Sequence, residues 1–324
     1  MLREVLFIKK FDLAIIGAGP IGLFAADFAH LHGLNTIIFD SSNEVGGQPN
    51  LLYPFKQIAD IPVFNTISGL DLVKNLKDNI LNKVTIQTAH RVDNVKKEND
   101  SFVIDEEYEV KTIIIATGTG SFKPKKFPLK TNEEMEKKIH YFIKDPADFK
   151  NQTIGVFGGG DSALDWANEL ASYANVKLIH RRDQFRGLES SVEKLKKAPN
   201  VELLTPYLPK EISIKDEQLS IGLKKMGEDQ LNYQLFDQII VAYGFRANNR
   251  FVKNWGVDLE GPHIKVNSDM ETNLDGIFAI GDAINYPGRV PLIGVGFGEA
   301  QIAITAIMRK LFPEKTLTIH STSI

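Results

Sequence analysis

Two glycine runs have the spacing to do chemistry: "GAGPIG" at 17–22 and "GGGDSA" at 158–163. Each follows an apolar run and opens an apolar-rich stretch of helical character. A tight glycine turn that opens a helix suits an anion. Unpaired N–H groups and the positive end of the helix dipole both face it. In the first run Gly17 permits the turn, Gly19 lets the backbone approach a diphosphate, and Gly22 lets helix and strand pack closely. Pro20 lies inside the same turn. The second run supplies Gly158, Gly160 and Ala163, with Asp161 and Ser162 between them. Alanine is an accepted variant at the last place.

The runs differ at the end of the strand that follows. Asp40 stands 23 positions after Gly17, and Arg181 stands 23 positions after Gly158, inside "HRRDQFR". A carboxylate accepts hydrogen bonds from ribose hydroxyls and repels a 2′-phosphate. A cluster of His180, Arg181, Arg182 and Arg186 binds that phosphate through charge-assisted hydrogen bonds. The second site is therefore expected to prefer NADPH to NADH. Two dinucleotide sites in one chain need a carrier between them, and a flavin accepts a hydride and passes electrons on. The first site is expected to hold FAD.

The elements that position these residues repeat. Residues 11–40 read strand, glycine turn, helix, strand, and residues 153–182 repeat that order. Each unit continues into short alternating segments, then closes on an apolar strand, "IIIATG" to Gly118 and "IIVAYG" to Gly244. This predicts an α/β chain with two Rossmann-like dinucleotide-binding domains, each a parallel sheet plus a small antiparallel meander. Residues 1–118 and 247–324 are expected to form a discontinuous FAD domain, and residues 119–246 an NADPH domain. The stretches 117–127 and 244–251, rich in Gly, Pro, Asn and basic residues, are the expected hinges.

Composition sets the outer limits. At 324 residues the chain is long enough for two domains. A net charge of −3 argues against broad nucleic-acid binding. No apolar run spans a bilayer, and the N-terminus lacks a signal-peptide pattern, so a cytoplasmic protein is expected. There is no cysteine. That removes disulfides, thiolate metal sites and any dithiol relay, and no metal site is expected.

Taken together, "IIGAGPIGLFAA", "GGQPNLLYP", "IIIATG", "GGGDSALDWA", "HRRDQFR", "METNLDGIFAIGDA", "GFGEA" and the terminal "HSTS" resemble the thioredoxin-reductase-like ferredoxin–NADP⁺ reductases. The resemblance covers almost the whole chain. It implies that Gly47 and Gln48 lie along FAD, that Tyr53 stacks on the isoalloxazine, and that Thr117 and Gly118 lie near the adenosine half. It also implies that Gly281 and Asp282 meet the ribityl–pyrophosphate region. The turn around Gly298 is expected to start a helix whose positive end faces the flavin. In "HSTS", His320 would stack on the ring face opposite Tyr53, with Ser321, Thr322 and Ser323 hydrogen-bonding beside it, contributed by the partner in a homodimer. Tyr53 and His320 are catalytic only as tuning groups.

Thioredoxin reductases carry a Cys-x-x-Cys in the nicotinamide domain, and this chain has none. Electrons are therefore expected to leave the flavin directly, towards ferredoxin or flavodoxin. The alternatives are an NADPH diaphorase acting on quinones, free flavins or iron chelates, and a redox-sensing flavoprotein. Lys123, Lys125 and Lys126, or Lys194, Lys196 and Lys197, are candidate docking patches.

Overall fold

A computed structural model of the chain describes residues 8–120, 123–246 and 249–315. The chain divides into two compact units. The first comprises Met1–Asn50, Gln57–Phe122 and Ala247–Ile324; the second comprises Leu51–Lys56 and Lys123–Arg246.

The first unit is built on one sheet in the order Thr85–Gln87, Thr36–Phe39, Lys9–Ile16, Tyr108–Ile115, Ser101–Ile104, Val95–Glu98. The strand Tyr108–Ile115 does two jobs. Its first half pairs antiparallel with Ser101–Ile104, so a β-meander hangs from it. Its second half, Ile113–Ile115, pairs in parallel with Ile277–Ala279, which returns from late in the chain. Leu13, Ala14, Ile15, Ile37, Ile38, Phe39 and Ile113–Ile115 are all fully buried. Continuous apolar runs of this kind mark parallel strands covered on both faces. The first-cradle helix, Pro20–Leu31, covers one face with Leu23, Ala25, Ala26 and Ala29. It stops where Gly33 takes a left-handed φ of 76°.

The second unit carries a five-stranded parallel sheet in the order Ile139–His140, Gln238–Val241, Thr153–Phe157, Asn175–Ile179, Val201–Leu204. Its meander, Tyr207–Lys215, Gln218–Lys225 and Leu231–Phe236, forms a separate antiparallel sheet. The second-cradle helix, Asp161–Leu170, buries Ala163, Leu164, Trp166, Ala167 and Leu170.

The expected α/β architecture is present, with parallel sheets and antiparallel meanders. Both glycine turns sit at the carboxyl ends of central strands, after Ile16 and after Phe157. In an open α/β sheet that is where the strand order reverses and ligands bind.

Candidate functional site

The glycines of the first turn divide the work between them. Gly17 has φ of 111°, and a Cβ there would strike the backbone of Ala116 at the end of the neighbouring strand. A Cβ on Gly22 would overlap the carbonyl oxygen of Gly17. Those two positions are filled by protein. A Cβ on Gly19 would meet nothing within 4 Å. Gly19 caps the helix with no side-chain hydrogen bond, and Pro20 follows at its start. The uncapped helix start therefore faces open space, with N–H groups that have no helical acceptor. This is the shape a diphosphate requires.

Asp40 closes the cradle. Its Oδ2 accepts from the Ala18 N–H at 2.7 Å and its Oδ1 accepts from the Ser42 N–H at 2.8 Å. Both oxygens keep lone pairs for ribose hydroxyls. The Gly46 N–H donates to the Ala18 carbonyl at 2.7 Å, and a Cβ on Gly47 would come 3.0 Å from Gly19 Cα. Gln48 continues the same short helical turn, and its Nε2 lies 3.8 Å from where a Cβ of Gly118 would be. Thr117 and Gly118 are tied by a residue the sequence did not single out. The Thr117 hydroxyl donates to Asn249 Oδ1, and Asn249 Nδ2 donates to the Gly118 carbonyl, each at 2.8 Å. Asn249 is only 4% exposed.

Gly281 and Asp282 form a single 3₁₀ turn after the buried strand Ile277–Ala279. Gly298 does not stand where the sequence predicts. The closing helix runs Ile293–Leu311, so Gly298 lies inside it and does not start it. The helix extends backwards because its small residues pack: a Cβ on Gly296 would come 2.9 Å from Ile21 Cδ1. Ile21 also borders Gly281, so the first cradle, the Asp282 turn and the closing helix meet at one side chain.

The second turn repeats the first. A Cβ on Gly158 would lie 2.5 Å from the Ala242 carbonyl oxygen and 2.8 Å from the Ala163 methyl, whereas a Cβ on Gly160 would meet nothing within 4 Å. Asp161 begins the helix, and its Oδ1 accepts from the Leu188 N–H at 3.3 Å. The Arg186 N–H donates to the Gly159 carbonyl at 2.7 Å. The basic loop is thus folded back onto the cradle, with Ser162 half-buried beside it. Arg181, Arg182 and Arg186 are exposed, and none forms an ion pair among the described residues. His180 differs from them. Its ring stacks on Phe185 at 5.4 Å and covers Gly159, where a Cβ would lie 2.5 Å from His180 Cγ. Burial lowers its pKa; a backbone bond to Gln184 opposes that shift and the three arginines reinforce it. The positive charge of this cradle therefore comes from the arginines.

Tyr53 is half-buried in Leu51–Lys56, the segment that belongs to the second unit. The Trp166 indole N–H donates to the Leu52 carbonyl at 2.9 Å, Lys56 pairs with Asp165 at 3.0 Å, and Phe55 packs on the core of that unit. Trp166 and Asp165 gave no signal in the sequence. His320, Ser321, Thr322 and Ser323 lie outside the described residues. In one lysine patch Lys196 pairs with Glu193 at 2.8 Å, and in the other Lys126 sits 4.9 Å over the Tyr141 ring. Among the described residues no group of three or more His, Cys, Asp or Glu is placed to hold a metal, and no helix is long and apolar enough to cross a membrane.

Two glycine turns of one design, one followed by Asp40 and the other by Arg181 and Arg182, agree with what comparison shows. Residues 11–306 match the pyridine nucleotide-disulphide oxidoreductase family. The chain belongs to that family. Within it the chain is 67% identical to a ferredoxin–NADP reductase of Lactobacillus acidophilus, over 94% of this chain and 98% of the relative. It is 64% identical to one of Lactobacillus helveticus, over 96% of this chain and all of the relative. The thioredoxin reductase of Lactococcus lactis, solved in its FR conformation, superposes with a TM-score of 0.74 at 28% identity. It covers 92% of this chain, and 98% of its own length is matched. The family name carries a disulphide, yet this pyridine nucleotide-disulphide oxidoreductase has no cysteine with which to form one.

Proposed function

We propose that the chain is a ferredoxin–NADP⁺ reductase that holds FAD in the first cradle and NADPH in the second. The observation that carries this is the paired pattern at the turns: an open glycine lies between two packed small residues in both, Gly17 and Gly22 in the first and Gly158 and Ala163 in the second, with Asp40 at one ribose end and Arg181 and Arg182 at the other. The residues fit the groups they are assigned. Gly19 and Gly160 leave room where a diphosphate must approach, and neither helix start is capped by a side chain.

Bound FAD supplies the conversion of a two-electron hydride into single-electron transfers. The chain's own residues bind and align. Asp40 accepts ribose hydroxyls of FAD. Gly47, Gln48, Thr117, Gly118 and Asp282 border the same cofactor. Arg181, Arg182 and Arg186 hold the 2′-phosphate of NADPH. Tyr53 would stack on the isoalloxazine, and His320, with Ser321, Thr322 and Ser323, would cover the ring from the partner subunit of a homodimer. With no thiol relay available, electrons pass directly to ferredoxin or flavodoxin in the cytoplasm. Mixing the purified yellow protein with NADPH in a stopped-flow instrument tests this: the flavin absorbance should bleach. Cytochrome c reduction should then depend on added ferredoxin or flavodoxin. Protein that carries no flavin, or that NADPH does not bleach, overturns the assignment. Bleaching with quinone but no carrier-protein turnover would make the enzyme a diaphorase.

A further inference from the structure

Glu299 is the one carboxylate buried among the described residues, at 2% exposure. Burying a charge is costly unless it is paired and hydrogen-bonded. Glu299 is both. Its Oε2 accepts from the Gly281 N–H at 2.7 Å, and its Oε1 accepts from Arg289 Nε at 2.7 Å and from the Tyr286 hydroxyl at 3.0 Å. Arg289, whose side chain is 4% exposed, reaches on to Asp282 Oδ1 at 3.3 Å. Burial works against the Arg289 charge, yet Glu299 and Asp282 outweigh it and its pKa rises. Asp282 Oδ2 has no protein partner among the described residues. The carboxylate of Asp282 remains 38% exposed while the clamp behind it is closed to water.

We propose that Arg289 and Glu299 are positioning residues for FAD. Glu299 fixes the Gly281 backbone, and Arg289 takes one oxygen of Asp282 so that the other is turned to a hydroxyl of the flavin's polyol chain. This rests on the assignment of FAD to the first cradle. The geometry gives each member a distinct part. Gly281 has φ of 70° and packs on Ile21 at the start of the first-cradle helix. A shift of the turn therefore moves Asp282 relative to the phosphate site. Arg289 offers a planar fork that two acids can share, which a lysine point charge does not reproduce.

The test is a double-mutant cycle on FAD affinity, read by flavin fluorescence quenching when FAD is titrated into the apoprotein. Arg289→Gln and Asp282→Asn should each weaken FAD by about tenfold. The double variant should be no weaker than the poorer single, because Arg289 acts through Asp282. Arg289→Lys should recover only part of the loss. A purely structural arginine would instead lower the melting temperature of the apoprotein and weaken FAD by the same factor in the Asp282→Asn background. That additive result overturns the proposal. If Arg289→Gln does not fold, Arg289→Lys with and without Asp282→Asn answers the same question. Wild-type protein that binds no FAD would defeat the assignment of the cradle; wild-type binding with an additive cycle would defeat the clamp alone.

Discussion

The Gly22 Cα faces the carbonyl oxygen of Gly17 so closely that a methyl group on Gly22 would overlap it. Gly19, between them in sequence, has free space where its side chain would be and an ordinary extended φ of −72°. Tight packing and open space are thus separated within six residues. Gly22→Ala should cost about 1–3 kcal/mol of stability through overpacking, seen as a lower midpoint in urea. Gly19→Ala should leave that midpoint unchanged and weaken FAD roughly tenfold or more. Equal effects of the two substitutions would show that the turn does not divide its work in this way.

The second cradle makes the parallel prediction for nucleotide choice. Replacing Arg181 and Arg182 by alanine should raise the KM for NADPH by about tenfold or more and leave that for NADH nearly unchanged. The NADPH preference should also weaken with added salt, because these side chains are exposed. An unchanged NADPH to NADH ratio in the double variant would place the 2′-phosphate elsewhere.

His180 gives a pH signature. Its folded pKa lies below the ordinary 6.5, chiefly through burial. Between that lowered value and 6.5 the unfolded chain binds more protons than the folded one, so stability rises with pH. The contribution is complete above 6.5 and is lost as pH falls through the folded value. The melting temperature of the wild type should fall between pH 7 and pH 5 more steeply than that of His180→Gln. Parallel curves would remove His180 from the account.

Trp166 anchors the Tyr53 segment through one buried hydrogen bond to Leu52. Trp166→Phe should cost about 1 kcal/mol and leave the Leu52 carbonyl without its donor. Cleavage by a protease between residues 51 and 57 should become faster, and if Tyr53 stacks on the flavin, the visible flavin spectrum should change with it. Unaltered cleavage would mean that other contacts suffice.

Removal of residues 320–324 should alter both the rate of hydride transfer from NADPH and the reaction of reduced enzyme with oxygen. A cover over the ring must yield to nicotinamide and otherwise keeps oxygen off. Stopped-flow traces that match the full-length chain in both reactions would leave His320 without a role.

What could be read from the sequence was local. Gly17, Gly19, Gly22 and Asp40, and their counterparts Gly158, Gly160, Ala163 and Arg181, declare themselves because a phosphate turn needs particular residue types at fixed short spacing. Asn249 did not, since the Thr117 and Gly118 it holds are more than 130 positions away. Trp166 and Leu52 are 114 apart. Glu299 stands within "GFGEA", but nothing in that string says its carboxylate is buried on Gly281. The start of the closing helix escapes the sequence for a related reason: nothing in "LIGVGFG" says that Ile21 packs where Gly296 lacks a side chain. Nor does "LLYPFK" announce that it will be housed with residues from the second half of the chain.

That last feature bears on how the molecule can be taken apart. Leu51–Lys56 leaves the first unit after Asn50 and rejoins it at Gln57. Residues 123–246 expressed alone would lack the Leu52 carbonyl over Trp166, the Lys56 partner of Asp165 and the ring of Phe55. The second unit is therefore not a portable module with one entry and one exit. Anyone grafting it onto another flavoprotein must carry a six-residue passenger from elsewhere in the chain.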